Sequence, residues 1–83
     1  MPYIDPARRQ ILDLEEDRIQ TAGELNYLIT NLCTAFLYTH GKSYETMNSI
    51  LGVLDAASKE FYRRVVAPYE DEKIKKNGDV YDI

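Results

Sequence analysis

The chain has no tryptophan, one cysteine and one histidine. A single thiol, Cys33, excludes an internal disulfide and an all-cysteine metal site. Its place in the apolar run after Leu32 fits a packed thiol in a reducing compartment. The lone imidazole, His40, sits where a helix should end, and a histidine there ordinarily serves the last carbonyls. It has no evident partner set for general-base or metal chemistry. No apolar run approaches the ~18 residues of a membrane-spanning helix, and the N-terminus is polar rather than signal-like. The expected location is therefore cytoplasmic, with no membrane partner. Basic residues are outnumbered, 10 to 14, for a formal net charge of −4. That balance argues against nucleic acid as a partner, because phosphate neutralisation needs clustered cations. The pairs Arg8–Arg9, Arg63–Arg64 and Lys75–Lys76 all have carboxylates nearby.

What is present is ordinary for a globular protein: 45% hydrophobic and 29% charged residues. Seven tyrosines stand against two phenylalanines, so most rings carry a polar end suited to half-buried positions and interfaces. With no internal repeat or linker, residues 1–83 are expected to form one domain. A chain of this size buries only ~60–65% of its unfolded surface. Its own core supplies roughly 3–5 kcal/mol unless the helices pack very well or the chain oligomerises.

The apolar pattern is helical. From Ser43 to Pro68, Met47, Ile50, Leu51, Leu54, Ala57, Phe61 and Val65 recur at steps of three and four, which places them on one face. Before it, Thr21-Ala22-Gly23-Glu24 reads as a capping box and opens a second helix, which carries Leu25, Leu28, Ile29, Leu32, Cys33 and Phe36 on one side. Gly41 suits the end of that helix. Three residues then lead to Ser43, a link short enough to force antiparallel neighbours. Asp5-Pro6 opens a short N-terminal helix expected to run to about Asp17. Pro68 should kink or break the long helix. The segment Tyr69–Lys76 should be helical again, stopped by Asn77-Gly78, and the apolar tail of Val80, Tyr81 and Ile83 should dock.

The expected fold is thus all-α: an antiparallel helical hairpin, a short N-terminal helix and a Pro-kinked C-terminal helix, closing a four-helix bundle as a dimer. The stripes at 25–36 and 47–65 should face each other, with Leu54 and Phe61 among the most buried side chains. Apolar surface on Leu37, Val53, Tyr62 and Tyr69 should stay uncovered in one chain and mark a homodimer interface.

The acidic clusters Glu15-Glu16-Asp17 and Glu70-Asp71-Glu72 could offer oxygen ligands to Mg²⁺. The plainer reading is a solvated face and a helix N-terminus favouring negative charge. A small all-α chain with acids on neighbouring helices is similar in architecture to the nucleotide pyrophosphohydrolases of the MazG type. That family holds Mg²⁺ with Glu-Glu-x-x-Glu on one helix and Glu-x-x-Asp on the next. Here Arg18 and Ile19 stand where the third acid would fall, and Glu45-Thr46-Met47-Asn48 ends in Asn. No catalytic residue, metal ligand or cofactor is carried across.

On the second helix, Asn26, Tyr27, Thr30 and Thr34 form a polar surface without Lys or Glu, unusual for a face meant only to be wet. Tyr62, Tyr69 and Tyr81 suggest another contact surface around the C-terminal proline. The blocks GELNYLIT and EFYRRVVAPYE…NGDVY resemble a small uncharacterised family of hypothetical proteins from phage and microbial genomes, a resemblance that implies no activity. The expected function is non-enzymatic: a small acidic protein-interaction or assembly module. A small Mg²⁺-dependent pyrophosphohydrolase-like enzyme with a carboxylate site is the alternative.

Overall fold

The computed structural model describes residues 2–13 and 18–83. Among these, all regular structure is helical. Helix α1 spans Pro6–Leu12, α2 Ala22–His40 and α3 Tyr44–Phe61. A π-helical turn, Tyr62–Val66, joins α3 directly to α4, Ala67–Asn77.

Local chemistry sets the boundaries. Asp5 caps α1 by accepting from the Ala7 amide at 2.8 Å, with Pro6 at the first position. The helix ends at Leu12, earlier than the sequence suggested; residues 14–17, which include the acidic run, lie outside the described residues. The capping box is fully formed. The Thr21 hydroxyl accepts from the Glu24 amide at 3.1 Å, and the Glu24 carboxylate accepts from the Thr21 amide at 3.0 Å. The Ser43 hydroxyl accepts from the Thr46 amide and opens α3. Gly41 and Gly78 end α2 and α4 at φ of 96° and 90°, and their amides close on the carbonyls of Leu37 and Ile74. A side chain at either position would be strained.

Pro68 does not break the helix. It sits within the first turn of α4, where its missing amide costs least, just after the π-turn has widened the backbone. The Ala67 amide reaches back to the Tyr62 carbonyl, five residues earlier. The long helix and the C-terminal helix are therefore one continuous helical run, from Tyr44 to Asn77.

Packing departs most from expectation. Helices α2 and α3 touch, yet no apolar side chain among the described residues is buried. Thr46, 7% exposed, is the one buried residue. Leu54 is 39% and Phe61 62% exposed, so neither is a core residue of the single chain. The most shielded apolar positions on the two helices, Leu28, Cys33 and Leu37 on α2 and Ile50 on α3, are only half-buried, and Leu37 is thus partly covered where the sequence suggested an open surface. Leu25, Ile29, Leu32 and Phe36 on α2, Leu51, Leu54 and Phe61 on α3 and Val65 in the π-turn remain exposed. The tail does not dock either: Val80, Tyr81 and Ile83 are highly exposed.

Candidate interaction surface

The surface has three parts. The first is the pair of wet apolar stripes. On α2, Leu25, Ile29, Leu32 and Phe36 are spaced four, three, four; on α3, Met47, Leu51, Leu54 and Phe61 keep the same rhythm, with Ser58 filling the remaining step, and Val65 follows in the π-turn. This is the spacing of residues that pack as knobs into a neighbouring helix. Periodicity exposed the stripes in the sequence; it could not reveal that they stay uncovered in one chain.

The second part is the polar flank of α2. Asn26, Tyr27, Thr30 and Thr34 are all exposed. The Thr30 hydroxyl donates to the Asn26 carbonyl and the Thr34 hydroxyl to the Thr30 carbonyl, each at 2.9 Å. The two threonine hydroxyl protons are thus occupied by the helix itself, so these two side chains offer only acceptor lone pairs outward. Near the end of α2 the Phe36 and His40 rings lie 4.1 Å apart, so His40 pairs with an aromatic ring. Cys33 is half-buried and free.

The third part lies beyond the π-turn. Tyr62, Tyr69 and Tyr81 line one open groove of about 700 Å³, with Glu70 and Lys73 beside them. The Tyr62 hydroxyl donates to the Glu70 carboxylate at 2.5 Å across the turn. That bond, reinforced by the charges of Glu70 and Asp71, pushes the Tyr62 phenol above its ordinary value. Lys73 places its ammonium 5.4 Å from the Tyr69 ring centroid. The two tyrosine-bearing regions are separate: the α2 flank and this groove share no lining residue.

A polar clasp, missed in the sequence, ties the N-terminal segment to the end of α3. The Tyr3 hydroxyl donates to Glu60 at 2.8 Å, Arg63 donates to the same carboxylate oxygen at 2.6 Å, and Arg64 donates to the Tyr3 oxygen at 3.3 Å. Tyr3, then Arg63, hold the Glu60 carboxyl below the usual carboxylate range, and Glu60 in turn raises Arg63. Contacts 57 and 61 residues apart leave no periodic trace in a sequence.

These pairings also engage two acids that a metal site would draw on: Glu60 in the clasp, and Asp55 with Lys59 at 2.6 Å. Among the described residues, no group of three or more His, Cys, Asp or Glu side chains is placed to hold a metal ion. No helix among them is long and apolar enough to cross a membrane.

The family model described as Domain of unknown function (DUF6899) matches residues 1–80, so the chain belongs to that family. No curated protein and no solved structure matches it.

Proposed function

We propose that this chain is a non-enzymatic association module, a small acidic all-helical unit whose work is to hold another polypeptide. One observation carries the reading: with well-capped helices and regular apolar stripes, no apolar side chain among the described residues is buried. Stripes of this spacing are stable only when something covers them. The exposed stripe residues on α2, on α3 and at Val65 make a surface that solvent alone does not favour.

The simplest cover is a second copy. Helices α2 and α3, joined by the short link at Gly41, act as an antiparallel hairpin, and two hairpins close a four-helix bundle. Twofold pairing needs only one self-complementary patch. Asn26, Tyr27, Thr30 and Thr34 then form a polar rim beside the apolar seam. Tyr62, Tyr69 and Tyr81 offer a further contact surface outside it. The chain acts as one domain, in the cytoplasm, without membrane or nucleic-acid partners. Sedimentation equilibrium at micromolar concentration tests the reading: association is expected, and a folded single species near 9.6 kDa across the dilution range would end it.

A further inference from the structure

Resting on that reading, we infer that the partner is a second copy and that association is the folding step itself: the chain has no stable folded monomer. The accessible surface makes the case. One chain exposes 7851 Å². A compact folded protein of this mass, 9.6 kDa, exposes ~5,100 Å² by the usual scaling. The excess is ~2,750 Å², more than three times the ~800 Å² each partner gives to an ordinary contact. The exposed tail supplies part of it; the stripes on α2 and α3 supply another part.

The radius of gyration agrees. It is 17.0 Å, where a compact chain of 83 residues would have ~12 Å. An interface of the size that would remove such an excess belongs to obligate dimers, which resemble a domain core cut in half. Obligate homodimers commonly have no stable folded subunit, so their stability depends on subunit concentration.

The occupant is a second copy because the stripes on both helices share one spacing and are apolar throughout except at Ser58. Each helix therefore presents knobs that fit holes of its own kind. Burial points the same way: with no apolar side chain buried among the described residues, little within one chain offsets the entropy of ordering the backbone.

The test follows sedimentation and far-UV circular dichroism together on the full chain, diluted from micromolar to nanomolar concentration. Helical signal and dimer should disappear in one transition, and the melting temperature should rise with concentration. A dimer that dissociates into a monomer of unchanged helicity would overturn the inference and leave the association reading standing. A folded monomer at every concentration would overturn both. An unfolded monomer at every concentration would overturn the second copy as the partner.

Two variants locate the seam. Leu51 and Val53 are each 64% exposed in the single chain, but Leu51 lies on the stripe, and Val53, expected at the interface from the sequence, lies off it and is placed outside the seam here. Leu51→Glu should raise the dissociation constant at least tenfold, and Val53→Glu should leave it within about twofold of the parent. Equal effects would overturn the placement of the interface on the stripes.

Discussion

The two ends of α3 are held in different ways. Along α3 up to Lys59, and on α2, side-chain hydrogen bonds stay local: Thr30 and Thr34 return to the α2 backbone, Ser49 donates to the Glu45 carbonyl, and Lys59 pairs with Asp55 four residues back. What would hold this region to anything else is apolar, and it is wet. At the far end, polar groups bridge distant parts of the chain: Tyr3 to Glu60 and Arg64, and Tyr62 to Glu70 across the π-turn. Exposed polar bonds of this kind fix direction at little net energy, whereas apolar contact carries the energy but requires burial. The molecule thus sets direction with polar bonds within one chain and leaves its apolar stripes in water.

The strongest attack on that contrast is Phe61→Ala. If Phe61 were as wet in solution as in the single chain, the substitution would be nearly silent. In an assembled seam it should cost ~3–5 kcal/mol, enough to unfold so small a protein. Thermal melts at fixed concentration distinguish the two. Next in size is Thr21→Ala, which removes the hydroxyl that accepts from the Glu24 amide, leaves the residue 21 amide able to donate to Glu24, and should cost ~0.5–2 kcal/mol without changing the fold. Since that loss is local, it should appear equally at high and low subunit concentration.

Smaller still, and opposite in sign, is Gly52→Ala. Nothing lies within 4 Å of where its Cβ would stand, and alanine in mid-helix is worth ~0.5–1 kcal/mol over glycine. A destabilised variant would reveal a close approach at Gly52 in the assembly. The smallest effect is Tyr3→Phe, read against pH. Because Tyr3 and Arg63 depress Glu60, their contribution is present above the unfolded carboxyl's value and lost as pH falls through the folded one. The variant should be slightly less stable than the parent at neutral pH, with the gap closing as the solution becomes acidic. A gap that stays constant through the carboxylate range would separate Tyr3 from Glu60.

Local features were legible in the sequence because they depend on neighbours in the chain. The box at Thr21 and the stops at Gly41 and Gly78 are short-range chemistry, and each appears where it was read. The all-helical class followed from the period of the stripes. Of the kink or break read at Pro68, the break does not occur, because a helix can absorb proline by widening the turn before it, a choice that no residue between Tyr62 and Val66 announces. The burial of Leu54 and Phe61 was misread for a different reason. Periodicity shows that a face needs covering, and it carries no information on whether the cover comes from the same molecule. Of the candidate surface, the pattern located the apolar stripes and the residues of both tyrosine regions. The clasp at Glu60 depended on a segment nearly sixty residues away.

The wide turn at Tyr62–Val66 also works as a phase change. A straight α-helix advances ~100° per residue, and a π-turn spends about one residue more on the same circuit. A repeat that keeps time from Met47 to Phe61 therefore loses its beat there. Beyond it, α4 runs Glu70-Asp71-Glu72-Lys73, and charge takes the places that leucine and phenylalanine held before. The turn thus acts as a ruler: it ends the regular apolar edge of α3 at Phe61, about 21 Å from Met47 at 1.5 Å per residue.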